Sequence, residues 1–178
     1  KLNIRVKKSM KSKRITVLHK GDRVKLLSNN SKWVAVEVNG RVGYTQGRYI
    51  SVKNGGTASD TTVTKGESVV NYALKFVGNP YRWGGTSLTR GADCSGFVMS
   101  VYRHFGKSLP HSSYAQRRVG RRVGSLSKAK PGDIICYSGH VAIYMGGGQI
   151  VHASNAKDGI KISGNAAYRP IVAVRRVL

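Results

Sequence analysis

Apolar positions follow two different periods along this chain. Over residues 2–52 they come in short runs, "LNIRVKK", "ITVLHKGD", "RVKLLSNN", "KWVAVEVNGRVGYTQ" and "RYISV", and in the fourth Val34, Val36 and Val38 alternate with Ala35 and Glu37. Alternation puts every second side chain on one face, so these runs predict the strands of a small antiparallel barrel. Asn39-Gly40 supplies the positive φ of a tight hairpin turn between two of them. The stretch "KNGGTASDTTVTK", residues 53–65, is rich in Gly, Ser and Thr and predicts a linker between a first domain, 1–52, and a second, 66–178.

Beyond the linker the period lengthens. Thr64 and Glu67 have the spacing of a capping box, and "ESVVNYALKFV" predicts a helix over 67–77 that stops at Gly78-Asn79-Pro80. A second helix starts at Cys94: Phe97, Val98, Val101, Tyr102 and Phe105 form one apolar stripe, Asp93 is a good N-cap and Gly106 a good stop. Four strand-like runs follow, "DIICYS", "HVAIYMG", "QIVHAS" and "IVAVRRVL", with Gly146 to Gly148 turning the chain between the second and third. Helices first and an antiparallel sheet after them make the fold class α+β. Between them "RRVGRRVG", residues 117–124, reads as a solvated basic loop, with a polyanion contact as the alternative.

Charge adds a partner to this picture. Lys and Arg number 31 against 7 Asp and Glu, a net +24, with 13 basic and 2 acidic residues in 1–52 and 16 and 4 in 66–178. So even a spread fits a diffuse polyanion such as a wall polymer better than a single face reading nucleic acid, and no recognition-helix, zinc-finger or RNA-binding strand motif supports the latter. No apolar run approaches the roughly 18 residues of a membrane span. The sequence opens at Lys1 without a charged-then-apolar leader, so a mature or trimmed chain is expected, its targeting signal or anchor not included.

The candidate chemistry centres on "GADCSGFVMSVYRHFG". A thiolate is the reactive form of cysteine, and the first turn of a helix favours it through unpaired N–H groups and the helix dipole. A base is still needed. Of five histidines, His140 opens one predicted strand and His152 sits in the next, so one ring can act as base while the other orients it. The alternatives for Cys94 are a buried structural thiol, a disulfide to Cys136, or a zinc site made with Cys136, His140 and His152; Cys136 itself, among apolar residues, reads as core filler. Asp133, after Pro131-Gly132, reads as a turn residue rather than an acid catalyst, and His111 as a surface residue or a groove contact.

The motifs "DCSGFV", "PGDII", "GHVAIYMG" and "IVHAS", in that order, resemble the NlpC family of cell-wall cysteine peptidases, which have a trimmed papain-like fold. The resemblance spans residues 67–178 and implies Cys94 as nucleophile, His140 as general base and then acid, His152 as the orienting third member, and Tyr81 of "NPYRWGG" beside the nucleophile. It implies stem-peptide contacts at Asp93, Ser95 and Ser113, no metal and no cofactor. His111 stands where the family often has arginine. "KWVAVEVNGRVGYTQGRYI" resembles a bacterial SH3-like domain, with "KKSMKSK" replacing the usual glycine and proline after the first strand. Together they imply a secreted or wall-associated hydrolase that cuts peptidoglycan stem peptides between the γ-carboxyl of D-Glu and diaminopimelate or L-Lys. A Cys-His amidase or acyltransferase, and a non-catalytic cationic wall-binding protein, are the alternatives.

Overall fold

The computed structural model describes residues 1–6, 8–28, 32–38, 41–50 and 64–178. The Asn39-Gly40 turn and residues 53–63 of the expected linker lie outside the described residues. Contacts divide the chain into two compact units, Lys1–Val63 and Thr64–Leu178.

In the first unit β1 (Leu2–Arg5), β2 (Arg14–Leu18), β3 (Lys25–Ser28), β4 (Trp33–Val38) and β5 (Arg41–Gln46) form a five-stranded antiparallel sheet in the order β2-β1-β5-β4-β3. Ile4, Leu18, Val34 and Val36 make its buried cluster. Ala35 is buried as well, across from the buried Tyr44, so β4 is covered on both faces there and its alternation is only partial. "RYISV" departs from expectation: Gly47–Tyr49 is a 3-10 turn, closed by the Ile50 N–H on the Gly47 carbonyl at 3.0 Å.

The second unit begins at the capping box. Thr64 accepts from the Glu67 N–H while Glu67 accepts from the Thr64 N–H, so α1 covers Lys65–Leu74 and starts two residues before the apolar pattern suggested. Its end tightens into i→i+3 bonds, and the Gly78 N–H leaves for the Ile160 carbonyl at 2.8 Å. The short β6 (Thr86–Ser87) and β7 (Gly91–Ala92) pair, and α2 (Cys94–His104) follows directly. A six-stranded sheet completes the unit: β8 (Arg121–Val123), β9 (Ile134–Tyr137), β10 (His140–Gly146), β11 (Gln149–Asn155), β12 (Gly159–Ser163) and β13 (Ile171–Arg176), in the order β12-β11-β10-β9-β13-β8. Strand β8 corrects the loop reading of "RRVGRRVG". Val123 is buried, β8 pairs with β13, and the Arg175 guanidinium gathers the carbonyls of Arg118, Val119 and Gly120, so the chain is pinned as an edge strand.

Helix α2 packs on β10 and β11 with Phe97, Val98, Val101 and Tyr102 buried. Glycine is required where α1 meets the turn into β9, because a Cβ on Gly66 would lie 2.0 Å from the Pro131 carbonyl oxygen. Asp133 in that turn is 1% exposed, accepts from the Lys130 N–H at 2.8 Å and holds Arg176 through two contacts of 2.6 Å, a structural carboxylate.

Candidate active site

Cys94 is the first residue of α2, and everything around it is organised by the N-cap Asp93. One Asp93 oxygen accepts from the Gly96 N–H at 2.7 Å and the Ser95 hydroxyl at 3.1 Å; the other accepts from the Gly84 N–H at 3.0 Å; His111 Nε2 lies 2.9 and 3.0 Å from the two. An ordinary N-cap satisfies one or two helix donors; this one also ties in the loop carrying Tyr81 and the loop carrying His111. Gly96 permits the crossing, since a Cβ there would come 2.1 Å from the Gly85 carbonyl oxygen and 3.0 Å from His111 Nε2. Buried Gln116 closes the same corner, its side-chain amide donating to the Ser95 carbonyl at 3.0 Å and the Pro110 carbonyl at 2.8 Å. Neither His111 as the partner of Asp93 nor Gln116 was legible as such in the sequence, because each acts across a loop. Ser113 sits half-buried in the turn before Tyr114.

The two histidines come from neighbouring strands. Register pairs Ile143 with Val151, and one step further sets His152 across from Ala142, making His140 its diagonal neighbour on the same face. On the other side His152 pairs with Lys161, which makes Ser163 a second diagonal neighbour. The contacts follow these diagonals: His140 Nε2 lies 2.7 Å from His152 Nδ1, and His152 Nε2 lies 2.9 Å from Ser163 Oγ. Two donor directions fit this row. In one, His140 Nε2–H donates to His152, whose Nε2–H donates to Ser163, and His140 Nδ1 is left as a bare base; in the other, Ser163 donates inward and Nδ1 carries the proton. Proton abstraction requires the first.

The sulfur lies at the His140 end of β10, within hydrogen-bonding reach of the backbone N–H of Val141, the next residue. Burial pushes the Cys94 thiol up, Asp93 adding to the effect, and the N–H groups of Val141, Ser95 and Cys94 oppose it. Burial also pushes His140 down to about 4, with Arg169 adding, and His152 down to about 3, with His140, Lys161 and Arg169 adding against Asp158. Burial thus works against the thiolate that the helix terminus favours, while it holds His140 in its neutral, basic form.

Tyr81 pairs with Ala92 beside the nucleophile; burial pushes its phenol up and the charges of Cys94 and Asp93 push it further, so it is a neutral hydroxyl donor. Cys136 is fully buried in β9, its thiol 3.8 Å from the Gln116 carbonyl, and both cysteines are free. Among the described residues no group of three or more His, Cys, Asp or Glu could hold a metal ion, and no helix is long and apolar enough to cross a membrane.

A cysteine at a helix start, an imidazole on the adjoining sheet and a second ring holding the first form a site for nucleophilic thiol chemistry on an α+β scaffold. The model of the NlpC/P60 family matches residues 78–173, and that of the bacterial SH3 domain residues 1–51. The chain belongs to the NlpC/P60 family. It is 39% identical over 112 residues to a protein of Mycobacterium bovis named as an endopeptidase, covering 61% of this chain and 29% of that one. It is 34% identical over 148 residues to a gamma-DL-glutamyl hydrolase of Bacillus subtilis, covering 79% and 35%. Among solved structures, the peptidoglycan hydrolase RipB of Mycobacterium tuberculosis superposes with a TM-score of 0.54 at 30% identity, covering 74% of this chain and 76% of that one. The chain thus spans about a third of the length of these curated relatives.

Proposed function

We propose that this protein is a cysteine endopeptidase of peptidoglycan that cuts stem peptides at the bond from the D-Glu γ-carboxyl to the third residue. The His140–His152–Ser163 row, ending at the Val141 N–H beside Cys94, is the observation that carries this reading. His140 Nδ1 takes the thiol proton as sulfur attacks the carbonyl carbon. The oxyanion is held by the backbone N–H of Cys94 at the open end of α2, with the Tyr81 hydroxyl beside it. His140 then gives its proton to the leaving amine, and a thioester remains on Cys94. Water, deprotonated by the same nitrogen, clears it. His152 fixes the ring and tautomer of His140. Asp93, Ser95 and Ser113 contact the acyl side of the stem peptide.

The first domain, 1–52, and the net charge of +24 hold the enzyme on anionic wall polymers, the segment 53–65 links it to the peptidase domain, 66–178, and the chain works outside the membrane. A relative named as a gamma-DL-glutamyl hydrolase supports the choice of bond. Mass spectrometry of fragments released from purified peptidoglycan of known stem composition tests it. Free L-Ala-D-Glu ends that appear with the wild-type chain and not with Cys94→Ala are expected; cleavage at any other bond, or intact peptidoglycan bound by both proteins, would overturn the reading.

A further inference from the structure

Two cations bear on His152, and they differ in how they are occupied. Lys161 Nζ is bound to the Asp158 carboxylate at 2.7 Å. Arg169, in the loop between β12 and β13, is exposed, and none of the ion pairs among the described residues includes it. It is nonetheless held in place. Its guanidinium carbon lies 4.9 Å from the centre of the Tyr168 ring; that ring is 6.1 Å from His152 and 5.4 Å from Tyr137, whose ring is in turn 5.9 Å from His140. Burial raises the Tyr168 phenol, Arg169 opposes this, and Tyr168 is close enough to the nucleophile for the Cys94 charge to add to the rise. A guanidinium outside every ion pair of the described residues thus stacks on Tyr168 beside the histidines.

The chemistry says what passes there. His140 hands its proton to the leaving amine, so the residue that carries that amine departs on the histidine side. In the proposed reaction this is the third stem residue. If it is diaminopimelate, its far end bears a free carboxylate; if it is L-lysine, its far end bears only an ammonium.

We propose that Arg169 determines specificity at this position: it takes the distal carboxylate of a diaminopimelate on the leaving side and disfavours L-lysine, whose ammonium it repels. Guanidinium with carboxylate is the strong, forked form of charge-assisted hydrogen bond, and Tyr168 pre-orders the fork. The inference rests on the endopeptidase reading.

The test uses three synthetic stem peptides, L-Ala-γ-D-Glu followed by meso-diaminopimelate, by diaminopimelate with its distal carboxyl amidated, or by L-lysine, and reads kcat/KM for the whole chain and for its Arg169→Gln and Arg169→Lys variants. The wild type is expected to prefer the free carboxylate by about tenfold over the other two, the scale of one partly solvated charged hydrogen bond. Arg169→Gln should bring all three within about twofold of one another, and Arg169→Lys should restore part of the preference. Equal rates on the three peptides in the wild type would overturn the role of Arg169 and leave the endopeptidase intact, as would a preference that survives Arg169→Gln. Cleavage of none of the peptides would overturn the endopeptidase reading, and this inference with it.

Discussion

The first turn of α2 and the middle of β9 each bury a free cysteine, 9% and 0% exposed, and they treat the thiol in opposite ways. Burial pushes both up, Cys136 to about 12. At Cys136 the thiol donates to the Gln116 carbonyl, an acceptor, which keeps the proton on sulfur. Arg117 and Arg175 lean against that without reversing it. At Cys94 the neighbours are donors, the N–H groups of Val141, Ser95 and the residue itself, so negative charge that develops on sulfur meets partners already in place. Burial alone therefore does not separate a reactive cysteine from an inert one. The direction of the surrounding hydrogen bonds does, together with a base within reach.

Removing one thiol at a time breaks the comparison most sharply. Cys94→Ala should lower kcat on a stem peptide by at least about 10⁴-fold, whereas Cys136→Ala should leave kcat/KM within about twofold. Iodoacetamide followed by peptide mapping should label Cys94 in the native protein and Cys136 only after denaturation; equal native labelling would mean that the difference in surroundings has no chemical effect. Next come His152 and Ser163, proposed to aim the base. His152→Ala should cost about 10²-fold in kcat with KM little changed. Ser163→Ala should cost up to about tenfold and shift the acid limb of the pH–rate profile, and Ser163→Thr should recover it; a loss of stability with an unchanged profile would reduce Ser163 to packing.

Smaller effects belong to stability. Both imidazoles are neutral in the folded protein and take up protons at ordinary values when it unfolds, so the unfolded chain binds more protons between about pH 6.5 and pH 4. Stability should thus be fully present above that window and fall on acidification through it, by on the order of 1 kcal/mol per pH unit for each ring. Chemical denaturation across this range should show the slope shrinking in His140→Gln. Cys136→Ala should cost about 1 to 2 kcal/mol from the cavity it leaves, seen as a lower Tm.

Legibility in the sequence followed the range of the forces involved. Helix α2 could be read from Asp93 to Gly106, and α1 from its capping box, because caps and apolar stripes are local. The runs that became β9, β10, β11 and β13 announced themselves by their apolar density. Strand β8 did not: an arginine-rich triplet has no strand signature, and only Arg175 and the edge of β13 make it one. "GIKIS", the later β12, was too short to stand out, so Ser163 was missed as the far end of the histidine row. At the site Cys94, His140 and His152 could be named from type and spacing. The Asp93–His111 contact and the Tyr168–Arg169 loop could not, since they depend on loops converging in space. The burial that raises the Cys94 thiol also escaped, because a helix terminus is visible in sequence and desolvation is not.

Trapping the acyl-enzyme tests the central claim most directly. The protein is mixed with a stem peptide, quenched in acid during turnover, and its mass is measured intact and after digestion. An L-Ala-γ-D-Glu thioester on Cys94, present during turnover and absent in Cys94→Ala, is the predicted result. Hydrolysis that proceeds without any adduct on Cys94, or an adduct on another residue, would contradict the mechanism.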